Sequence, residues 1–598
     1  MFRKTLLHVI AGVTFLLGVC WLVRPILAQS NPATSHLSGT VKTSDGKALE
    51  GIGVSARNAN ETFTTTVYTD QNGRYSFPPL STGQYKVRGQ AVGFETAIAD
   101  VTLADGATKQ AELTLANLSD FHKQLSGTEW AASLPEDTPD DRRMKTIFIN
   151  NCSGCHQVSF LLQNKFEVAG WSAIITLMER MLSIGYAPEN ATPNSVIHAY
   201  KEQLAAYLAR VRGPDAPQLN YKLLPRPTGE AAQIVVTEFD LPRPDMPGGW
   251  TMKHNGVDWM EGTPSRWDGR AAHDVAIDRG GYVWFADDAT PDRTLGKLDP
   301  RTGRVTDYKL ADQANAAEVS HALVFDKAGN IWFANGTEGA PTKFDPETGK
   351  FFRYPRPQDI PYSGDFITLD PQGNVWSPDR EGAFKLDPQT GKYTNYSLRP
   401  GKANYDIAAD QEGNAWVSQP GGNDMAFVDP HAGKVVPVAL DAMSPQGFEV
   451  TALDRELSAS LGLTPNTATP LEKGPRRSVT DRANDTIWVC EFFADRLAKI
   501  DPRTKKVTEY PLPHRFSQPY AATVDKNHVV WITMLNSDMI ARFDPSTEKF
   551  TEYSLPTRGT EIRHIQVDSS TNPPTVWLPY DRTNKIARIQ FRTDAGRQ

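Results

Sequence analysis

The pentapeptide Cys152-Ser153-Gly154-Cys155-His156 carries the most specific chemistry in this chain. Two thiols three positions apart can each bond a vinyl carbon of one porphyrin, and the neighbouring imidazole can then reach the iron. The same thiols alone would read as a redox pair or as half of a zinc site. The immediate His156 favours covalent haem c, held by Cys152 and Cys155 with His156 as proximal ligand. A second axial ligand must come from downstream. Met181 precedes Gly185 by four residues, and Met178 follows Trp171 by seven. The spacing favours Met181 as the iron's sixth ligand, with Met178 the alternative and His198 a third. The methionine that is not used is then a packing residue, the commoner role of methionine on a helix. A thioether ligand would raise the potential and keep the iron low-spin.

A second set of residues stands out only when the C-terminal repeats are aligned. From about residue 230 the chain repeats a pattern of apolar strand, Asp, turn, Trp-containing strand, Asp-Pro turn and Tyr-containing strand. The tryptophans are Trp284, Trp332, Trp376, Trp416, Trp488, Trp531 and Trp577. Repeats of 40–50 residues indicate a propeller or solenoid. Seven units of about four strands predict a seven-bladed β-propeller, with 234–239 supplying the outer strand of the last blade and removing a free edge. Five residues before each repeat Asp stand His273, His321, Asp365, Tyr405, Arg476, Tyr520 and Arg563. Equivalent positions lie at one height around the axis, so these seven predict a polar ring in the central channel. Channels are wet and tolerate polar side chains, but two His, two Arg, two Tyr and an Asp in register exceed that need. The arginines would suit an anionic ligand. Asp287, Asp379 and Glu491, three residues after their tryptophans, could offer oxygen ligands to a divalent cation such as Mg. His273, His321 or His564 could act as base. An insertion at about 441–474 interrupts the repeat and is the expected lid or partner-contact loop.

The elements that must position these groups fall into three bodies. With 598 residues the chain is too long for one core. Charged residues are 22%, hydrophobic residues 39%, and Gly and Pro together 87, the composition of turn-rich globular domains. The net charge of −7 excludes the basic face typical of nucleic-acid binding. Arg3 and Lys4, the apolar run 6–23 and Ala28 predict an export signal over 1–28. Left uncleaved, it would anchor the protein to a membrane. Export with almost no cysteine beyond the haem motif points to a periplasm.

Residues 36–118 read as short alternating strands with turns such as Asp45-Gly46 and Asp70-Gln71-Asn72-Gly73. They predict a small β-sandwich and resemble the carboxypeptidase regulatory-like (transthyretin-like) domains, which implies an accessory module. Over 119–213 the period turns helical, with helices expected at 168–182 and 195–211. The haem motif, the Trp-bearing helix and the terminal Ala206-Tyr207-Leu208-Ala209 resemble class I cytochromes c. A proline-rich linker is expected at 214–229. The repeats of 230–598 resemble the virginiamycin B lyase (streptogramin lyase) propellers, on their H-D/A-x-x-x-D, V/I-W-F and L/F-D-P elements. That resemblance implies metal-assisted elimination with a His base.

The expected fold is therefore multidomain and mainly β: a small β-sandwich, an α-helical cytochrome c-like domain and the seven-bladed propeller. The expected function is electron transfer by an exported c-type haem protein. Its propeller would bind a small-molecule substrate or a partner dehydrogenase, and a redox partner protein would take the electron. The alternatives are a metal-dependent C–O lyase acting on a cyclic ester and a non-catalytic binding module. The oxidoreductase reading is preferred over the lyase.

Overall fold

The computed structural model describes residues 35–154, 156–180, 192–242, 259, 272–287, 293–310, 320–335, 338–360, 366–379, 381–398, 402–441, 443, 447–461 and 466–592. The predicted signal, together with Cys155, Met181 and Asp365, lies outside them. Among the described residues no helix is long and apolar enough to cross a membrane.

The first body packs two sheets. Strand β1 (His36–Thr43) pairs with β4 (Arg74–Ser76), β7 (Thr108–Gln110) and β8 (Leu113–Leu115). Strands β2 (Gly53–Asn58), β3 (Phe63–Tyr68), β5 (Gly83–Gln90) and β6 (Ala97–Leu103) form the other sheet, in the order β3-β2-β5-β6. Alternation puts Leu37, Val41, Val54, Val67, Tyr85 and Val87 into the core between them.

The second body is helical: α1 (Gly127–Ser133), α2 (Pro139–Cys152), α3 (Val158–Leu162), α4 (Val168–Met178), α5 (Ser195–Ala199) and α6 (Lys201–Arg212). A capping box of Ser126 and Glu129 starts α1, and Thr138 with Pro139 starts α2. The helix expected at 195–211 is two, because the chain leaves helical geometry at Tyr200. There the phenol donates to Asp454 Oδ1 at 2.8 Å, a partner outside this body. The predicted linker is docked rather than free. Its Lys222 and Leu224 N–H groups donate to Ser133 Oγ and Glu129 Oε1 at 2.8 and 3.0 Å.

The third body begins with β9 (Ile234–Asp240) and continues as propeller-like four-stranded antiparallel sheets. The first is Ala272–Ile277, Val283–Asp287, Leu295–Asp299 and Arg304–Tyr308; the pattern recurs over 320–353, 368–397, 407–439, 475–511 and 519–554. Gln566–Asp568, Thr575–Tyr580 and Lys585–Phe591 are completed by β9, as the sequence predicts. The repeat Asp explains itself locally. Asp278, Asp326, Asp370, Asp410 and Asp525 each accept turn N–H groups on one oxygen and the indole N–H of their own tryptophan on the other, at 2.9–3.2 Å. In the two sheets where the Asp–Trp spacing is longer, the Trp488 and Trp577 indoles have no such partner among the described residues.

Strand β9 has a second neighbour. Its other edge pairs with β3, from Phe63 opposite Phe239 to Val67 opposite Val235. The last propeller sheet and one sandwich sheet are thus a single eight-stranded sheet.

Candidate functional site

The inner strands start at the predicted ring, and four of them are bulged there. Pairing shifts between Ala272 and Val275, Ser320 and Leu323, Pro475 and Ser478, and Pro519 and Ala522. A bulge breaks the two-residue alternation and re-aims side chains. Neighbours in sequence therefore turn toward the same cluster, and the ring is thicker than one residue per unit.

Six of the seven ring residues come together. His273 and His321 have ring centroids 4.5 Å apart, and Phe366 lies 6.3 and 6.4 Å from them. Phe366 packs on Tyr405 at 4.9 Å, and the Tyr405 and Tyr520 hydroxyls hydrogen-bond. Arg563 Nη1 is 3.4 Å from the Tyr520 hydroxyl. The Arg476 guanidinium lies 5.0 and 5.6 Å from the Tyr405 and Tyr520 rings. The seventh, Asp365, lies outside the described residues.

Sequence reasoning missed the second layer of this cluster. Arg477 grips Asp274 with both terminal nitrogens, at 2.6 and 2.8 Å. His273 Nδ1 contacts the same carboxylate at 2.9 Å, and His564 Nε2 lies 3.7 Å away. Burial would raise the Asp274 carboxyl, but the Arg477 charge and the hydrogen bonds from His273 and Arg477 outweigh it and hold it well below the carboxylate range. Burial depresses His564 to about 4, so it is neutral. Burial also pushes Asp406 up to about 6, against the pull of Arg477. The available signal was a run of polar doublets: His273-Asp274, Tyr405-Asp406, Arg476-Arg477 and Arg563-His564.

The three residues considered for a divalent cation do not converge. Asp287 is held by Arg293 at 3.1 Å, and Asp379 accepts the N–H groups of Glu381 and Gly382 at 2.7 and 2.6 Å. Glu491 is pushed up to about 8 by burial and by Glu509. Each serves its own sheet, and among the described residues no three His, Cys, Asp or Glu gather at a metal position. Cys490 is fully buried, and burial raises its thiol far out of the reactive range.

The haem-motif segment sits on this ring. Arg563 Nη2 is 3.4 Å from Gly154 O, and Gln157 N–H donates to Glu561 Oε1 at 2.8 Å. Gln157 Nε2 donates to Leu535 O and Asp538 Oδ1 at 2.9 and 2.8 Å. A Cβ on Gly154 would stand 2.8 Å from Asn466 Oδ1, so a side chain there would have to displace that amide.

Of the residues proposed to hold a haem, Cys152, His156 and Met178 lie among the described residues. His156 is buried, and burial lowers its pKa, so it is neutral. Its Nδ1 lies 3.1 Å from Gln157 O; the tautomer assigned from that contact leaves the Nε2 lone pair for a metal. Cys152, at the end of α2, lines an apolar crevice with Phe148, Trp171, Ile175, Met178 and Leu204. Met178 thus lines the same crevice as the Cys152 thiol, and Met181 lies outside the described residues. His198 is exposed beside Glu179, at 3.2 Å, and does not line this crevice.

Residues 36–116 match the carboxypeptidase regulatory-like domain. No curated protein sequence matches the chain. Among solved structures, a streptogramin B lyase is 19% identical, with a TM-score of 0.46 over 61% of this chain and 100% of its own. Virginiamycin B lyase from Staphylococcus aureus is 17% identical, with a TM-score of 0.43 over 55% and 96%. The extracellular domain of a one component system from B. thetaiotaomicron is 17% identical, with a TM-score of 0.40 over 55% and 42%. These likenesses concern fold alone. The chain is a mainly β protein in which a carboxypeptidase regulatory-like domain is joined to propeller-like sheets similar to those of virginiamycin B lyase.

Proposed function

We propose that this chain is an exported c-type haem protein of electron transfer. Its seven sheets are the blades of one propeller whose channel takes a small molecule or a partner dehydrogenase. The observation that supports this reading is the seating of the Cys152–His156 segment on the channel ring, where Arg563 touches both Gly154 and Tyr520. A molecule bound at the ring and the haem-attachment segment would then share a contacting side chain. Cys152 and Cys155 are the attachment points. His156, kept neutral by burial, supplies Nε2, and the sixth ligand we favour is Met178, which lines the crevice with Cys152, with Met181 the alternative. A covalently held haem would supply one-electron chemistry at its iron. The chain's own part is to hold the imidazole in one tautomer and keep the crevice apolar. A second protein takes the electron onward.

The reduced-minus-oxidised visible spectrum of protein matured in a periplasm with haem-attachment machinery tests this. A low-spin c-type spectrum is expected, turning high-spin in Met178→Ala and staying low-spin in Met181→Ala. The reverse pattern would restore Met181. Absence of covalent haem would end the electron-transfer reading and leave the channel to be assayed for ester elimination.

A further inference from the structure

The two ring arginines are treated differently by the protein. Arg563 is neutralised: it donates to Asp581 at 2.9 Å and lies 3.4 Å from Glu561. Arg476 is only 1% exposed and has no carboxylate partner among the described residues. Its Nη2 donates to Asn466 Oδ1 at 2.8 Å, a neutral acceptor, and its buried Nε has no hydrogen-bond partner. The guanidinium is walled by aromatic rings, with Phe492 at 4.4 Å, Tyr405 at 5.0 Å, Tyr520 at 5.6 Å and Phe493 at 5.7 Å.

Ring faces attract a cation, but they do not replace the hydration that a buried ion gives up. Elsewhere the protein pairs such charge directly. Arg477 is on Asp274, Arg293 is between Asp287 and Asp307, and Arg582 is on Asp581 and Glu561. Arg476 departs from that practice at the place where the Tyr405 and Tyr520 hydroxyls meet.

We propose that Arg476 is the anchor of a carboxylate-binding site in the channel, taking a small organic acid with an apolar or aromatic body. A planar guanidinium fork matches a carboxylate, and its unpartnered Nε is one tooth of that fork. The hydrogen-bonded Tyr405–Tyr520 pair offers further donors. Phe366 and Phe492 supply apolar surface. The site stands on the channel geometry and does not depend on the haem. The carboxylate has two sources: a free acid entering the channel, or a propionate of a haem attached at Cys152 and Cys155. The second is open because Asn466, the Arg476 partner, also abuts Gly154.

The test is calorimetric titration of the full chain with benzoate and succinate in chloride-free sulfonate buffer, for wild type and Arg476→Gln. Thermal unfolding without ligand is run alongside. Benzoate binding that weakens at least tenfold in Arg476→Gln, with ligand-free Tm unchanged or higher, establishes the free-acid source. If neither acid binds, the haem-loaded protein decides. A pH-dependent step in midpoint potential that appears only in Arg476→Gln marks a propionate that has lost its guanidinium. Two results overturn the proposal. One is a lower ligand-free Tm in Arg476→Gln with neither acid binding nor potential altered, which makes the arginine structural. The other is uptake of chloride with no preference for benzoate. In a chain that carries no haem, the benzoate titration alone decides, so the site and the electron-transfer reading fail separately.

Discussion

Glu561 shows how one side chain joins the two chemistries. Its Oε1 accepts the Gln157 N–H beside the haem motif, and its Oε2 lies 3.2 and 3.4 Å from Arg582 and Arg563. Burial pushes this carboxyl up to about 7 from an ordinary 4.5, and the arginines only partly oppose it. The folded state therefore binds the proton more tightly than the unfolded chain. The stability this group contributes is complete below about 4.5 and is lost as pH rises through about 7. Glu561→Gln keeps an acceptor for Gln157 and should flatten that slope. Urea unfolding of both proteins between pH 4.5 and 7.5 checks it, and parallel slopes would refute it. At this scale the sequence showed which types would meet, since register alone placed His273, His321, Tyr405, Arg476, Tyr520 and Arg563. It hid Asp274 and Arg477, because alternation assigns adjacent residues to opposite faces and the bulges at 272–275 and 475–478 override it.

Among the elements, the insertion is the one whose role changed most from expectation. Read as a lid or partner loop, it clasps the helical body of its own chain. Helix α7 (Ala452–Ser460) starts with a capping box of Thr451 and Asp454. Asp454 also takes Arg143 Nη2 at 2.6 Å and the Tyr200 hydroxyl at 2.8 Å. Leu457 and Leu461 join the helical core, and Asn151 exchanges hydrogen bonds with Ala468 at 2.7 and 3.1 Å. Asp454→Ala removes the cap and leaves the largely buried Arg143 without its carboxylate, a loss of about 3 kcal/mol for a buried pair. The expected readout is a lower Tm and new protease cleavage within 441–474. Wild-type Tm and digestion would show that Asp454 does not hold the clasp. The insertion's length was legible as a departure from the repeat, but its partner was not. Asp454 is an ordinary capping-box residue until Arg143 and Tyr200 arrive from 311 and 254 residues away in sequence.

For the whole molecule, the shared eight-stranded sheet makes the accessory sandwich part of the propeller. Strand β9 is buried over nearly its whole length because Lys585–Phe591 covers one edge and β3 the other. Phe63 and Phe239 pack tilted against each other across that join, with centroids 5.4 Å apart. A chain lacking 36–118 would present Ile234-Val235-Val236-Thr237-Glu238-Phe239 as an open edge, a template for pairing with another copy. It should self-associate with rising concentration in light scattering, where the full chain does not. A truncated chain that stays monomeric at every concentration would mean that the join is dispensable.

The sequence by itself determined the local and repetitive features. A period of two and Asp–Gly turns specify the sandwich, and the Asp-to-Trp spacing specifies each four-stranded unit. These rest on contacts within a few tens of residues, which composition and spacing encode directly. The tertiary structure alone decided that β9 serves two bodies, that Gly154 and Gln157 meet Arg563 and Glu561, and that Arg476 is buried with no carboxylate partner among the described residues. Each of these depends on which surfaces meet across hundreds of residues, and docking is set by shape and by buried polar pairing that no periodicity records.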